Sequence, residues 1–174
     1  MVVEGIKRSL GGKGANQALA AVKLGHPVEY VGMVGSDENG LFLRNKLNEY
    51  GLNAEHLLVT PEASTGMAII LVEDDGENRI IVDKGANNKL HMAHLEGLLA
   101  PDKYSAVLLQ LEIPLETVAS IIKESHRLNL RVIVDAGPAI KCDLNIFHGV
   151  DVLTPNQPEL ETLTGKAVSS LPEA

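Results

Sequence analysis

The chemistry open to this sequence gathers in three short stretches. In "SLGGKGAN", residues 9–16, Gly11, Gly12 and Gly14 surround Lys13, and a run of helix formers follows. Glycine gives up conformational entropy and packs nothing, so such a turn suits a backbone that a ligand approaches closely. Lys13 and Asn16 add side-chain donors beside the amides of a helix start, which favour oxygen-rich ligands. A phosphate-binding P-loop needs Ser or Thr after the lysine, where Gly14 stands, and a dinucleotide fingerprint fails at Gln17. On spacing alone, a tight loop without a ligand stays open. In "LLQLEIP", Glu112 closes an apolar strand, and the C-terminal edge of a parallel sheet is where ligands bind. A carboxylate there can accept hydrogen bonds from neighbouring hydroxyls, or it is a solvated strand-end charge. In "LTPNQPELETLTG", Asn156 and Glu159 follow another apolar strand. They read either as a polar pair organising water and Mg²⁺ around phosphates, or as a helix cap at Asn156.

Three other signals read as structural. His91 and His94 stand three apart on a helix expected in "LHMAHLEGLLA", and no third ligand is near in sequence. "EDDGEN" lacks the spacing and closing glutamate of a calcium loop and reads as a hairpin turn. The single cysteine, Cys142, reads as a small, partly buried apolar residue, and one cysteine permits no disulfide within the chain.

These residues need elements to hold them. "PVEYVGMVG" reads as a strand and "NGLFLRNKLNEYG" as a helix, with Leu41, Leu43 and Leu47 on one side and Gly51 as its stop. "GMAIILVEDDGENRIIVDKG" reads as a β-hairpin from Gly66 to Gly85, more alternating in polarity than the core strands. "YSAVLLQLE" reads as a strand buried on both faces, and "RVIVDAG" and "VDVLTP" as two more buried strands. The helix opened by Pro114 turns Val118, Ile121 and Ile122 to one side, and Gly165 ends the last helix. Strand–helix–strand units of this kind imply an α/β fold, a mainly parallel sheet covered by helices in three layers, with the hairpin apart from it. The 174 residues read as one domain with an aliphatic core, since aromatics are only 3%. A net charge of −8 argues against a general nucleic-acid binder. No apolar run is long enough for a membrane span and no signal peptide is evident, so a cytoplasmic location is expected.

Taken together, "GGKGANQALAAVKLG", "STGMAIILVEDDGENRIIVDKGAN", "LLQLEIP" and "TPNQPELETLTG" resemble, in order, the motifs of the ribokinase-like (PfkB) family of carbohydrate kinases. GGKGAN is the form of its ribokinase branch. The resemblance covers essentially the whole chain. It implies a three-layer α/β/α fold with a small β lid, here incomplete: one partial domain over 1–174, with lid segments near 1–11 and 64–86. It implies ATP-dependent phosphorylation of D-ribose, or a related pentose, at the 5-hydroxyl. Gly12, Lys13 and Asn16 would contact sugar hydroxyls, Met67 would cover the sugar from the lid, and Glu112 would anchor it. Asn156 and Glu159 would act toward Mg²⁺ and phosphate, with Glu159 as the metal-side carboxylate, and a monovalent cation is admitted. The resemblance also implies a homo-oligomer, a dimer through the lid.

The family's opening Gly-Ser-x-Asn-x-Asp segment and its Gly-Ala-Gly-Asp motif do not occur in this sequence. The family's catalytic aspartate is therefore expected outside this chain, which reads as truncated at both ends and inactive alone. The alternative is a non-catalytic sugar-binding or oligomerising remnant of the same fold. An unrelated nucleotide-binding enzyme such as a dehydrogenase is disfavoured by the failed glycine spacing.

Overall fold

A computed structural model describes residues 5–72 and 78–170. The turn expected at "EDDGEN" falls, but for Asn78, outside the described residues, as do residues 1–4 of the first lid segment. The chain divides into two compact units, Met1–Asp83 and Lys84–Ala174.

In the first unit, helix α1 (Lys13–Lys23) and helix α2 (Glu38–Glu49) accompany two parallel strands, β1 (Gly32–Gly35) and β2 (Leu57–Thr60). Alanines at 15 and 18, with Leu19 and Val22, form the buried face of α1, at the spacing that one side of a helix requires. They share a core with Val34, Leu47, Leu52 and Leu57. Asp37 caps α2 by accepting from the amide of Gly40 at 2.8 Å, and the chain leaves the helix through Gly51 at φ 80°.

Two sequence expectations need correction here. The strand expected over "PVEYVGMVG" forms only at Gly32–Gly35, because the pairing with β2 begins at Gly32 opposite Leu57. Leu41 does not share a side with Leu47. It is 61% exposed while Leu47 is fully buried, since steps of two and six residues rotate a helical side chain away, whereas Leu43 and Leu47 are four apart.

The hairpin forms as expected from β3 (Met67–Val72) and β4 (Asn78–Asp83), antiparallel, with Met67 opposite Asp83 and Val72 opposite Asn78. Its faces are not divided into apolar and polar. One carries Met67, Ile69, Leu71 and Ile81, the other Ala68, Ile70, Val72, Ile80 and Val82, and all but the half-buried Leu71 are exposed.

In the second unit, β5 (Ala106–Leu109), β6 (Arg131–Asp135) and β7 (Val152–Thr154) form a parallel sheet in that order. Helix α3 (Leu115–Arg127), preceded by Pro114, turns Val118, Ile121 and Ile122 inward as expected and lies against β6. Helix α4 (Gln157–Thr164) ends at Gly165, at φ 68°. Only β6 approaches the burial expected of all three strands. Pairing aligns Leu109, Val134 and Leu153 on one face, and there Leu109 and Val134 are buried. It aligns Leu108, Ile133 and Val152 on the other, where Leu108 is 45% exposed and Val152 is exposed as well. Among the described residues β5 and β7 are the outer strands of this sheet, and their side chains are largely exposed.

Truncating Leu47 to Ala should cost about 2–5 kcal/mol of stability through the cavity it leaves. Leu41→Ala should stay within about 0.5 kcal/mol. Urea unfolding of the two variants checks the corrected helix face, and equal losses would contradict it.

Candidate functional site

The glycine turn leads directly into α1. Gly12 adopts φ 94° at the start of α1, a backbone region that residues with a Cβ rarely enter. Its N-cap is Gly12, which has no side chain to cap the helix, and no acidic residue lies in its first turn. The α-helical bond from the Asn16 amide to the Gly12 carbonyl, 3.0 Å, puts Asn16 one turn into the helix. Lys13 and Asn16, three apart, are therefore neighbours on one face, Lys13 half-buried and Asn16 exposed. Such an end offers amide hydrogens, an ammonium and a carboxamide to a ligand rich in oxygens. Met67 belongs to the same unit, as the first residue of β3, and is 49% exposed.

In the second unit the parallel pairing gathers the remaining candidates at one edge. Glu112 follows β5 and Asn156 follows β7, so both emerge where β6 also ends. The strands β5 and β7 stand about 10 Å apart across β6. The end of β5 is tied to the turn after β6, the Leu111 amide donating to the Gly137 carbonyl at 2.9 Å, and Leu111 is fully buried. Asp135 closes β6 between the two, and one of its carboxylate oxygens accepts from the Gly137 amide at 2.9 Å. Sequence reasoning passed over Asp135, although the signal that marked Glu112, a carboxylate ending an apolar strand, marks it equally.

Asn156 and Glu159 form a capping box. The Asn156 Oδ1 accepts from the Glu159 amide at 2.9 Å, and the Glu159 Oε2 accepts from the Asn156 amide at 2.8 Å. The cap considered from sequence is thus present, and it buries Glu159 at the start of α4. Among the described residues, no cluster of three or more His, Cys, Asp or Glu could hold a metal by itself. One carboxylate beside a carboxamide fits Mg²⁺ where water and phosphate supply most of its oxygens.

The expected helix around His91 and His94 is only a short 3₁₀ turn, Met92–Leu95. The His94 Nδ1 accepts from the His91 amide at 3.0 Å, and the rings stack with centroids 6.0 Å apart. Cys142 is half-buried, and burial, reinforced by Asp143, pushes its thiol up, away from a reactive thiolate.

A polar network that sequence reasoning missed joins Asp37 and Thr65. The Thr65 hydroxyl donates to Asp37 Oδ1 at 2.6 Å, its amide donates to Oδ2 at 2.8 Å, and its hydroxyl oxygen accepts from the Gly35 amide at 3.0 Å. The bonds from Thr65, with those from the α2 amides, hold the Asp37 carboxyl below its ordinary value of 3.8. A carboxylate depressed in this way stabilises the fold above that ordinary value, and the contribution is lost as pH falls through the lower one. Asp37→Asn should therefore be less stable than the parent at neutral pH and lose less on acidification. Urea midpoints between pH 6 and pH 2 check this, and parallel curves would contradict it.

The family model for "pfkB family carbohydrate kinase" matches residues 1–174. The chain is 33% identical to the ribokinase of Schizosaccharomyces pombe over 171 residues, 95% of this chain and 54% of that protein. It is 36% identical to the deoxyribokinase of Salmonella typhi over 170 residues, 94% of this chain and 54% of that protein. Its fold matches Arabidopsis thaliana ribokinase complexed with ribose and ATP at a TM-score of 0.86 and 30% identity, covering 99% of this chain and 57% of that one. The chain spans about half the length of the curated relatives it matches.

Proposed function

The chain belongs to the pfkB family of carbohydrate kinases, and we propose that its residues serve ATP-dependent phosphorylation of D-ribose at the 5-hydroxyl, in the cytoplasm. The observation that carries this reading is the start of α1. A helix end whose N-cap is Gly12 at φ 94°, bearing Lys13 and Asn16, suits a small polyhydroxylated ligand. Lys13 and Asn16 donate to the sugar hydroxyls, and the glycine backbone admits the ring without a Cβ in the way. Glu112 accepts from hydroxyls at the strand edge, and Met67 covers the sugar from the hairpin, which acts as a lid. Asn156 and Glu159, at the N-terminus of α4, act toward phosphate oxygens and Mg²⁺. The metal, when bound, offsets phosphate charge, and a monovalent cation is admitted beside it.

The relatives include ribokinases and deoxyribokinases, so the 2-hydroxyl is the feature to test. A site built to hydrogen-bond a hydroxyl rejects the sugar that lacks it, because a buried partner is left unpaired. Calorimetric titration of the chain should show ribose binding more tightly than 2-deoxyribose. Glu112→Ala and Asn16→Ala should each weaken binding about 10-fold or more, whereas His91→Ala should change it less than about twofold. Phosphorylation by these 174 residues alone is expected close to nil beside the same residues carried in a polypeptide of the relatives' full length. Binding without turnover in both would favour the non-catalytic sugar-binding alternative.

We extend the reading to self-association through the lid. Both faces of the hairpin are apolar and exposed, and soluble proteins seldom leave such surface uncovered. The Met67 face would cover sugar, and the Ile70 and Ile80 face would meet a second copy. Sedimentation at micromolar concentration should give a dimer, and Ile70→Lys should shift it to monomer. A parent chain that sediments as a monomer would sink this extension.

A further inference from the structure

We propose that Asp37 and Thr65 form a positioning clamp that fixes the root of the β3–β4 hairpin and, through it, the placement of Met67. The consequence for sugar binding rests on the lid reading above, while the clamp itself does not. Three segments of the first unit meet at these two side chains: the end of β1 through the Gly35 amide, the start of α2 through the Gly40 amide, and the approach to β3 through Thr65. Thr65 is 7% exposed, and Gly66 alone separates it from Met67, the first residue of β3.

The backbones approach so closely that side chains are excluded. A Cβ on Gly35 would stand 2.5 Å from the Ala63 carbonyl oxygen, and one on Gly40 would stand 2.4 Å from the Gly35 carbonyl oxygen. Beyond this root the described hairpin has no buried residue, so packing does little to set its direction. Charge-assisted hydrogen bonds are strong and directional. A carboxylate that receives both the amide and the hydroxyl of Thr65 fixes that residue's position and orientation together.

The test measures backbone ¹⁵N relaxation on the chain and three variants. Thr65→Val keeps the shape and removes the hydroxyl. Asp37→Asn keeps an acceptor for the Gly40 amide, since Asn caps helices as well as Asp, but it lacks the second acceptor oxygen that Thr65 uses. Thr65→Ser restores the hydroxyl. Order parameters for residues 66–72 and 78–83 should fall from about 0.85 toward about 0.6 in the Val and Asn variants. Those of β1 and α2 should hold, and Ser should match the parent. Unchanged hairpin order parameters, or an equal fall across the whole first unit, would overturn the clamp. Ribose titration of the same proteins adds the functional arm, with weaker binding expected for Val and Asn and recovery for Ser. A parent chain that binds no ribose refutes the sugar reading, while the relaxation data still decide the clamp.

Discussion

Parallel strands cannot be joined by a tight turn, so each must be followed by a connection that carries the chain back before the next begins. That constraint stacks the C-terminal ends of paired strands on one edge, and several of the polar residues that matter here stand at those ends. Glu112 and Asn156 follow β5 and β7, and Asp135 is the last residue of β6. After β1 comes Asp37, and after β2 comes the segment carrying Thr65. The apolar strands supply rigidity, and the residues just past them have the freedom to bear charge. The two units repeat this arrangement with different side chains.

The polar groups at these edges also stabilise what they border. Asn156 and Glu159 satisfy the open amides of α4, and Asp37 does the same for α2 while holding Thr65. Neither the N-cap residue of α3, Pro114, nor that of α1, Gly12, gives a side-chain cap, and of the four α-helices among the described residues only α1 also has no acidic residue in its first turn. Its first turn has Gly12, Lys13 and Asn16 where α2 and α4 have internal acceptors.

Much of this was legible in the sequence because it is local. A helix announces itself within a few turns, as Val118, Ile121 and Ile122 do in α3, and a glycine stop such as Gly165 is a single-residue signal. The hairpin was visible as two β-branched runs. The ribokinase-like α/β fold followed from the order of its motifs and is matched by solved structures. What escaped was set by partners distant in the chain. Thr65 and Asp37 lie 28 residues apart, and nothing near either marks the other. Strands β5 and β7 look like core from composition, yet how far a strand is covered depends on its neighbours in the sheet. Leu41 has the same side chain as Leu47 and the opposite environment, because helical rotation decides between them.

The middle of the hairpin is apolar on both faces, which weakens the usual control of strand alignment. In most half-buried ribbons, a slip of one residue moves the greasy set into water, and that penalty keeps the strands in frame. Here the middle of the ribbon, Ile69 and Ile70 with Ile80 and Ile81, is apolar on both faces, so burial there scarcely distinguishes the correct frame from its neighbour. The choice falls to the ends of the ribbon, where Asp83 stands opposite Met67 and Arg79 and Asn78 stand opposite Leu71 and Val72. A substitution in the middle of β3 or β4 that keeps an apolar residue should leave the alignment alone. A change at those polar ends alters which strand positions recognise each other, and so which side chains look outward on either side.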